Sequence, residues 1–240
     1  MKQGSLNFII IFGAAVIGWA IYEFMMPQFI KDGGQLVIGL IALSIMVLTY
    51  VIERNLSLKK AGGRGPMAKF LKNLVQNVNS NDIPAAIAAC DQQRGSLANI
   101  VKTGLERYQE VGSKKDLTKK EKMEEVKRVI EEATMLEMPI LERNLIALST
   151  IASIATMWGL LGTVLGMIRS FAALAKAGAP DATALSLGIS EALINTAGGI
   201  AIAIAAIVAY NFFTTKIDGM TYMIDEASKD ILMNLSSKHE

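Results

Sequence analysis

The chain is short of the residues that perform most enzyme chemistry. Among its 240 residues there is one cysteine, Cys90, and one histidine, His239. A single cysteine excludes an intrachain disulfide and a thiolate metal cluster. Cys90 lies in an alanine-rich stretch and reads as a small buried apolar side chain. His239 sits in a polar tail. No metal-ligand set and no nucleophile–base set appears, which disfavours an enzyme, and no cofactor is expected. Aromatic residues make up only 6% of the chain, so its packing relies on aliphatic and small side chains. The net charge of +2 gives no reason to expect a nucleic-acid partner.

What the chain has instead is apolar length. It is 52% hydrophobic, with a mean hydropathy of +0.38, above the roughly 45–50% apolar share of soluble domains. Four apolar runs stand out, Phe8–Met26, Leu36–Ile52, Leu148–Phe171 and Ala192–Phe213, against the about 20 residues that a helix needs to cross a bilayer. The first follows Lys2, as a signal peptide would, but its core exceeds the usual 7–15 residues and no small-x-small cleavage site follows. It is read as a retained span. Pro27 and Lys31-Asp32-Gly33-Gly34 then make a tight connection.

Orientation follows from Lys and Arg near the span ends. Arg54, Lys59, Lys60, Arg64, Lys69 and Lys72 follow the second run, whereas the connections 27–35 and 172–187 hold only Lys31 and Lys176. Region 53–145 is therefore expected in the cytoplasm, and four spans put both termini there too. The organisation read from this is a two-span hairpin at 1–52, a cytoplasmic helical region at 53–139, a second hairpin at 140–213 and an amphipathic tail at 214–240. In the cytoplasmic region, Ala61-Gly62-Gly63-Arg64-Gly65-Pro66 marks a break. Short helices follow, with turns at 79–82 and at Arg94-Gly95. Asp82 is expected as a helix N-cap with Pro84 in the first turn. Thr118 and Glu121 have capping-box spacing. Pro139 is expected to kink or restart the helix that follows. Ile217, Met220, Ile224, Ala227, Ile231 and Leu235 recur at helical spacing and are expected to pack on region 67–137.

The second hairpin is not a plain anchor. Ser149, Ser153, Thr156, Gly159, Thr163, Gly166 and Ser170 recur at steps of three or four, which puts them on one helix face. The last run opens with Glu191, and Asn195 lies one turn further on. If Phe171 and Glu191 mark the outer edge, Thr163 lies about 12 Å in and Thr196 about 7.5 Å in, at 1.5 Å per residue. Their hydroxyls come near one depth, with Glu191 above them. Two readings remain open at this point. Gly159, Gly162 and Gly166, with Gly198 and Gly199 opposite, let backbones approach, and a Thr hydroxyl can bond its own helix. Alternatively, the hydroxyls, Thr156 and Asn195 line a polarised path with a carboxylate at its mouth. Glu191 likewise reads either as a proton-gathering group or as a cap or salt-bridge partner near the interface.

GLLGTVLGM at 159–167 and GISEALINTAGGIAIAIAAIVAYN at 188–211 resemble the MotA/TolQ/ExbB proton-channel family, closest to its ExbB and TolQ branch. The likeness is strong over about 148–213, includes Tyr210-Asn211, and extends to Glu53-Arg54 after an early span. Elsewhere it holds only in length and helical character. The resemblance implies an all-α integral membrane protein of the bacterial inner membrane, with long transmembrane helices that extend into a helical cytoplasmic domain. It implies a homo-pentamer around an ExbD- or TolR-like single-span partner that carries a membrane aspartate. Proton flow would then do work on the outer membrane through a TonB- or TolA-like protein. It places Thr163, Thr196 and Glu191 on the proton path. Thr156 and Ala205 stand where family members often have proline, and Phe8–Met26 is extra relative to three-span members. One charge crossing the membrane is worth about 2.3 kcal/mol per 100 mV, so a work stroke needs several protons. The alternatives are a TolQ-like or gliding-type motor subunit and a non-conducting scaffold held by its glycine faces. A solute transporter is disfavoured, since neither an internal repeat nor a broken helix pair is seen.

Overall fold

Long apolar runs in lipid must satisfy their backbone groups internally, which leaves helices or closed barrels. In a computed structural model, which describes residues 3–113, 117–176 and 182–237, every regular element among the described residues is an α-helix. In chain order these are α1 (Gln3–Phe24), α2 (Gln28–Lys31), α3 (Leu36–Ala61), α4 (Met67–Asn79), α5 (Ile83–Gln93), α6 (Ser96–Gly112), α7 (Lys119–Glu142), α8 (Leu145–Lys176) and α9 (Ala182–Ser237). His239 lies outside the described residues. Among the described residues three segments are long and apolar enough to cross a membrane: α3, the run Lys119–Ala175 that holds all but the last residue of α8, and α9. The span expected over Phe8–Met26 is shorter than these. Within it, the described apolar helix is Ile9–Phe24, and Pro27 follows.

The chain divides into two compact units, Met1–Glu53 with Asn144–Phe212, and Arg54–Arg143 with Phe213–Glu240. In the first, α1 lies along α3. Gly18 allows the approach, since a Cβ there would stand 3.2 Å from the Ala42 nitrogen. α1 remains open on its other faces, with Phe12, Trp19 and Phe24 exposed. The turn to α3 is tied by Tyr22 Oη, which donates to the Lys31 carbonyl at 3.3 Å, and by Lys31 Nζ, which donates to the Glu23 carbonyl at 2.7 Å. Trp158 of α8 donates its Nε1–H to the Leu36 carbonyl at 3.0 Å. Asn144 donates its amide to Glu53 Oε2 at 3.2 Å.

In the second unit α4, α5, α6 and α7 each pack on the next. Leu74, Val78, Ile100, Leu105, Val111 and Val126 are buried at their contacts. The expected caps are present. Asp82 accepts from the Ala85 N–H at 3.0 Å, and Thr118 and Glu121 form the reciprocal capping box. The break after α3 is fixed by two glycines at φ +79° and +92°, Gly63 and Gly95, where a side chain would be strained. The Arg64 N–H donates to the Gln93 carbonyl there at 2.6 Å. Arg54 is fully buried and donates to the Leu141 carbonyl at 3.1 Å. The end of α9 belongs to this unit. Ile217, Ile224, Ala227, Ile231 and Leu235 are buried, and Met220 is half-buried.

Pro139 does not restart the helix. α7 runs through it to Glu142, and the break comes at Asn144, whose φ is +62°. Proline frees the carbonyl four residues back, that of Met135, which lies on an exposed stretch of α7. Asn tolerates the left-handed conformation that turns the chain.

Cys90 is buried on α5. Burial pushes its thiol up to about 12, Asp91 and Glu106 add to the shift, and Lys102 opposes it. The reactive form is the thiolate, so the thiol is inert until strongly alkaline pH. Iodoacetamide at pH 8 is expected to alkylate native protein at least about tenfold more slowly than unfolded protein. Equal rates would mean that α5 opens freely.

Candidate functional site

The site grows from the contact between α8 and α9. From Ile151 to Ser170 the buried residues of α8 are Ile151, Ala152, Ala155, Gly159, Gly162, Gly166 and Ser170, and from Gly188 to Ala206 those of α9 are Gly188, Ala192, Asn195, Gly199, Ala203 and Ala206. Both sets recur at helical spacing and almost all are small, which is the pattern that brings membrane helices into backbone contact. A Cβ at Gly159 would stand 2.9 Å from the Asn195 carbonyl, at Gly166 2.8 Å from the Gly188 carbonyl, and at Gly199 2.5 Å from the Ala155 carbonyl. At Gly162 it would collide with the Asn195 side chain. Gly198 does not face this seam. Its open side is towards Leu40 of α3, one residue's rotation away from Gly199.

Inside the seam the two hydroxyls meet. Thr163 Oγ1 and Thr196 Oγ1 are hydrogen-bonded to each other, and both lie 3.2 Å from the Gly159 carbonyl. Each hydroxyl has one proton, so one threonine donates to the other and the second donates to the carbonyl. With a glycine on α8 at Gly159, nothing stands between the threonines and that carbonyl. Both threonines are half-buried. The seven-residue stripe on α8 does not share one environment. Gly159, Gly166 and Ser170 are buried in the seam, while Ser153 and Thr156 are exposed. Thr156 returns its hydroxyl to the Ala152 carbonyl at 3.1 Å, so its polarity is spent within its own helix.

Towards the other end of the seam, Glu191 pairs with Arg169 of α8. The carboxylate is 12% exposed and the guanidinium 58%. Asn195 is fully buried, and its Nδ2 donates to the Gly33 carbonyl at 2.6 Å and to the Glu191 carbonyl at 2.8 Å. Its Oδ1 is buried without a partner among the described residues. Asn195 thus faces the packed interior and the turn before α3. Ser170 donates to the Leu185 carbonyl at 3.3 Å and closes the seam's end. Arg169, Gly188 and Trp158 were not singled out from the sequence, and the Gly33-Gly34 turn was expected only as a tight connection between spans. Gly188 lies one turn before Ala192 and continues the small-residue spacing, which was the available signal. Among the described residues no group of acidic, His and Cys side chains is placed to hold a metal.

The arrangement is a polar thread in an apolar helix pair: an ion pair, a buried amide with an open acceptor, and two linked hydroxyls. Chemically it can pass or orient protons and hold helices together. It offers no nucleophile activated by a base.

Comparison with known proteins bears on the same segment. The model of a family described as the MotA/TolQ/ExbB proton channel family matches residues 92–226, more than half of the chain. Similar proteins include the putative biopolymer transport protein ExbB-like 3 of Synechocystis sp., 40% identical over 91 residues, 37% of this chain and 43% of that one. The biopolymer transport protein ExbB of Pseudomonas putida is 40% identical over 89 residues, 37% of this chain and 27% of its own. The Tol-Pal system protein TolQ of Pseudomonas aeruginosa is 40% identical over 94 residues, 39% of this chain and 41% of its own. The matches thus span less than half the length of each of these relatives.

The seam generates a direct expectation. Gly199→Ala drives a methyl into the Ala155 carbonyl, and the cost is expected at about 1–3 kcal/mol, seen as a lower melting temperature in detergent. Gly219→Ala, with nothing within 4 Å, serves as the control and is expected to hold or raise stability by up to about 1 kcal/mol. Equal effects would show that the helices do not touch at Gly199.

Proposed function

The chain belongs to the MotA/TolQ/ExbB proton channel family, and on that premise we propose that it is an ExbB-like subunit of a proton-driven motor in the bacterial inner membrane. It is an all-α, multi-pass membrane protein. In this reading α1 completes four spans with both termini in the cytoplasm. Five copies surround a single-span ExbD- or TolR-like partner, whose membrane aspartate supplies the titrating group. α8 and α9 face the lumen, and α1 and α3 lie on the lipid side. Work is delivered to a TonB- or TolA-like protein. The chain acts as a channel subunit rather than as an enzyme. ExbB and TolQ relatives match at the same identity, so the Ton and Tol forms of this proposal stand together.

The observation that carries the reading is the hydroxyl pair Thr163–Thr196 inside the glycine seam. Two hydroxyls in a low-dielectric helix contact are costly to strand, and they are conserved in energy by bonding each other and one carbonyl. A hydroxyl both donates and accepts, so the pair can relay a proton without holding a charge. The same bonds also favour a second reading, a non-conducting scaffold, because they tie α8 to α9 at Gly159.

Substitution separates the two. Thr163→Val with Thr196→Val keeps shape and removes both hydroxyls. It is expected to leave co-purification with the partner intact and to reduce energised, receptor-dependent uptake to background. Uptake at the wild-type level would leave the scaffold reading. Co-purification of the full chain with a short single-span protein encoded beside its gene tests the partner.

Glu191→Gln removes the carboxylate charge but keeps its size. Its guanidinium partner is 58% exposed and stays solvated, so folding is expected to survive. Proton-dependent activity is expected to fall several-fold at an unchanged melting temperature. A variant that works normally but melts markedly lower would make Glu191 a structural residue.

A further inference from the structure

The proton-path reading gives Glu191 a role but says nothing of what holds it. Its surroundings are specific. From α8, Arg169 places Nη1 against Oε1. From the turn before α3, Gly34 approaches so closely that a Cβ there would collide with the same Oε1, and Gly34 has φ +70°. From α9 itself, Asn195 binds the Glu191 carbonyl and the Gly33 carbonyl together, which fastens the turn to the helix. The carboxylate is therefore enclosed by a charge on one side and bare backbone on the other.

The other charged groups of that turn are engaged elsewhere. Lys31 Nζ donates to the Glu23 carbonyl and lies 6.0 Å from the centre of the Tyr22 ring, and Asp32 Oδ1 accepts from Gln28 at 3.4 Å. Among the described residues Arg169 is the cation that pairs with Glu191. The exposures are unequal, 12% for the acid and 58% for the base. A surface pair has both members in water and contributes little. Here the carboxylate is the enclosed member, so the guanidinium compensates a charge that the protein has already desolvated.

Depth gives the pair its consequence. Thr163 lies six residues before Arg169, and Thr196 five residues after Glu191. At 1.5 Å per residue the pair stands about 7.5–9 Å beyond the linked hydroxyls, at the end of the same seam. We propose that Arg169 is the positioning residue for Glu191, holding its carboxylate against the Gly33-Gly34 turn at the mouth of the seam. The proposal rests on the proton-path reading for its purpose but not for its geometry. A freed carboxylate would swing from the turn and would lose its counter-ion. Lysine at 169 retains the charge with a shorter reach of donors, whereas glutamine is shorter still and loses the charge.

The test uses the full chain in phosphatidylcholine vesicles and dicyclohexylcarbodiimide, an apolar reagent that adds to protonated carboxyls, the form that loss of a counter-ion in apolar surroundings favours. Labelling of Glu191 is measured by peptide mass spectrometry, with Glu191→Gln as the blank, well below the melting temperature of every variant. Arg169→Gln is expected to raise the labelling rate about fivefold or more, the population factor of a modest ion pair. Arg169→Lys is expected to stay near the wild-type rate. Labelling of Arg169→Gln no faster than wild type overturns the proposal, and so does Arg169→Lys labelling as fast as Arg169→Gln. Because labelling needs neither partner nor proton flow, the outcome is independent of Glu191→Gln activity. Normal activity in that variant with the expected labelling pattern would sink the path through Glu191 and leave the positioning intact.

Discussion

The contact between α8 and α9 depends on side chains that are absent. With glycine at 159, 162 and 166 on one helix and at 188 and 199 on the other, the helices approach until backbone faces backbone. Lipid provides no hydrophobic force to press them together, so close van der Waals contact and interhelical hydrogen bonds carry the association. The Gly159 carbonyl is reachable from α9 only because no side chain covers it, and the Thr196 hydroxyl uses that opening. A methyl at Gly159, Gly166 or Gly199 would meet the backbone of the partner helix, and one at Gly162 or Gly188 would meet the Asn195 or Ser170 side chain.

The polar groups follow from that closeness. Thr163 and Thr196 bond each other, and Asn195 fits over Gly162 and reaches the turn at Gly33. Each is satisfied across elements far apart in sequence. The unpartnered Oδ1 of Asn195 is the exception, and a buried acceptor without a donor costs free energy. That cost is borne one residue from Thr196 and one turn from Glu191.

The second unit, Arg54–Arg143 with Phe213–Glu240, is built on different physics. Here α5 and α7 carry side-chain caps, and ion pairs such as Arg128–Glu132 lie on exposed faces. Its core is made of Leu, Ile and Val rather than Gly and Ala. Water supplies the driving force there, so bulk in the interior is favoured and close backbone contact is not required. The buried Arg54 belongs to this unit, and its bond to the Leu141 carbonyl holds the last turn of α7, where helix carbonyls lack partners of their own.

Much of this was legible in the chain. Apolar runs and helical spacing are local, and they determined the all-helical class, the buried stripe of the α9 tail and the caps at Asp82 and Thr118. The fixed rise of a helix placed Thr163 and Thr196 near one depth. Rotation was not legible to the same accuracy. A step of about 100° per residue separates Gly198, which faces α3, from Gly199, which faces α8. The turn at Asn144 rather than Pro139 was hidden because an exposed proline can be carried through a helix, and an Asn in the left-handed conformation has no strong local signature. Glu191 was visible as a carboxylate at the start of an apolar run, but its partner was not. Arg169 lies 22 residues earlier on another helix, and only the tertiary packing of α8 against α9 decides that their side chains meet. The sequence determined which residues are polar in an apolar setting; the backbone approach allowed by the glycines decided which of them touch.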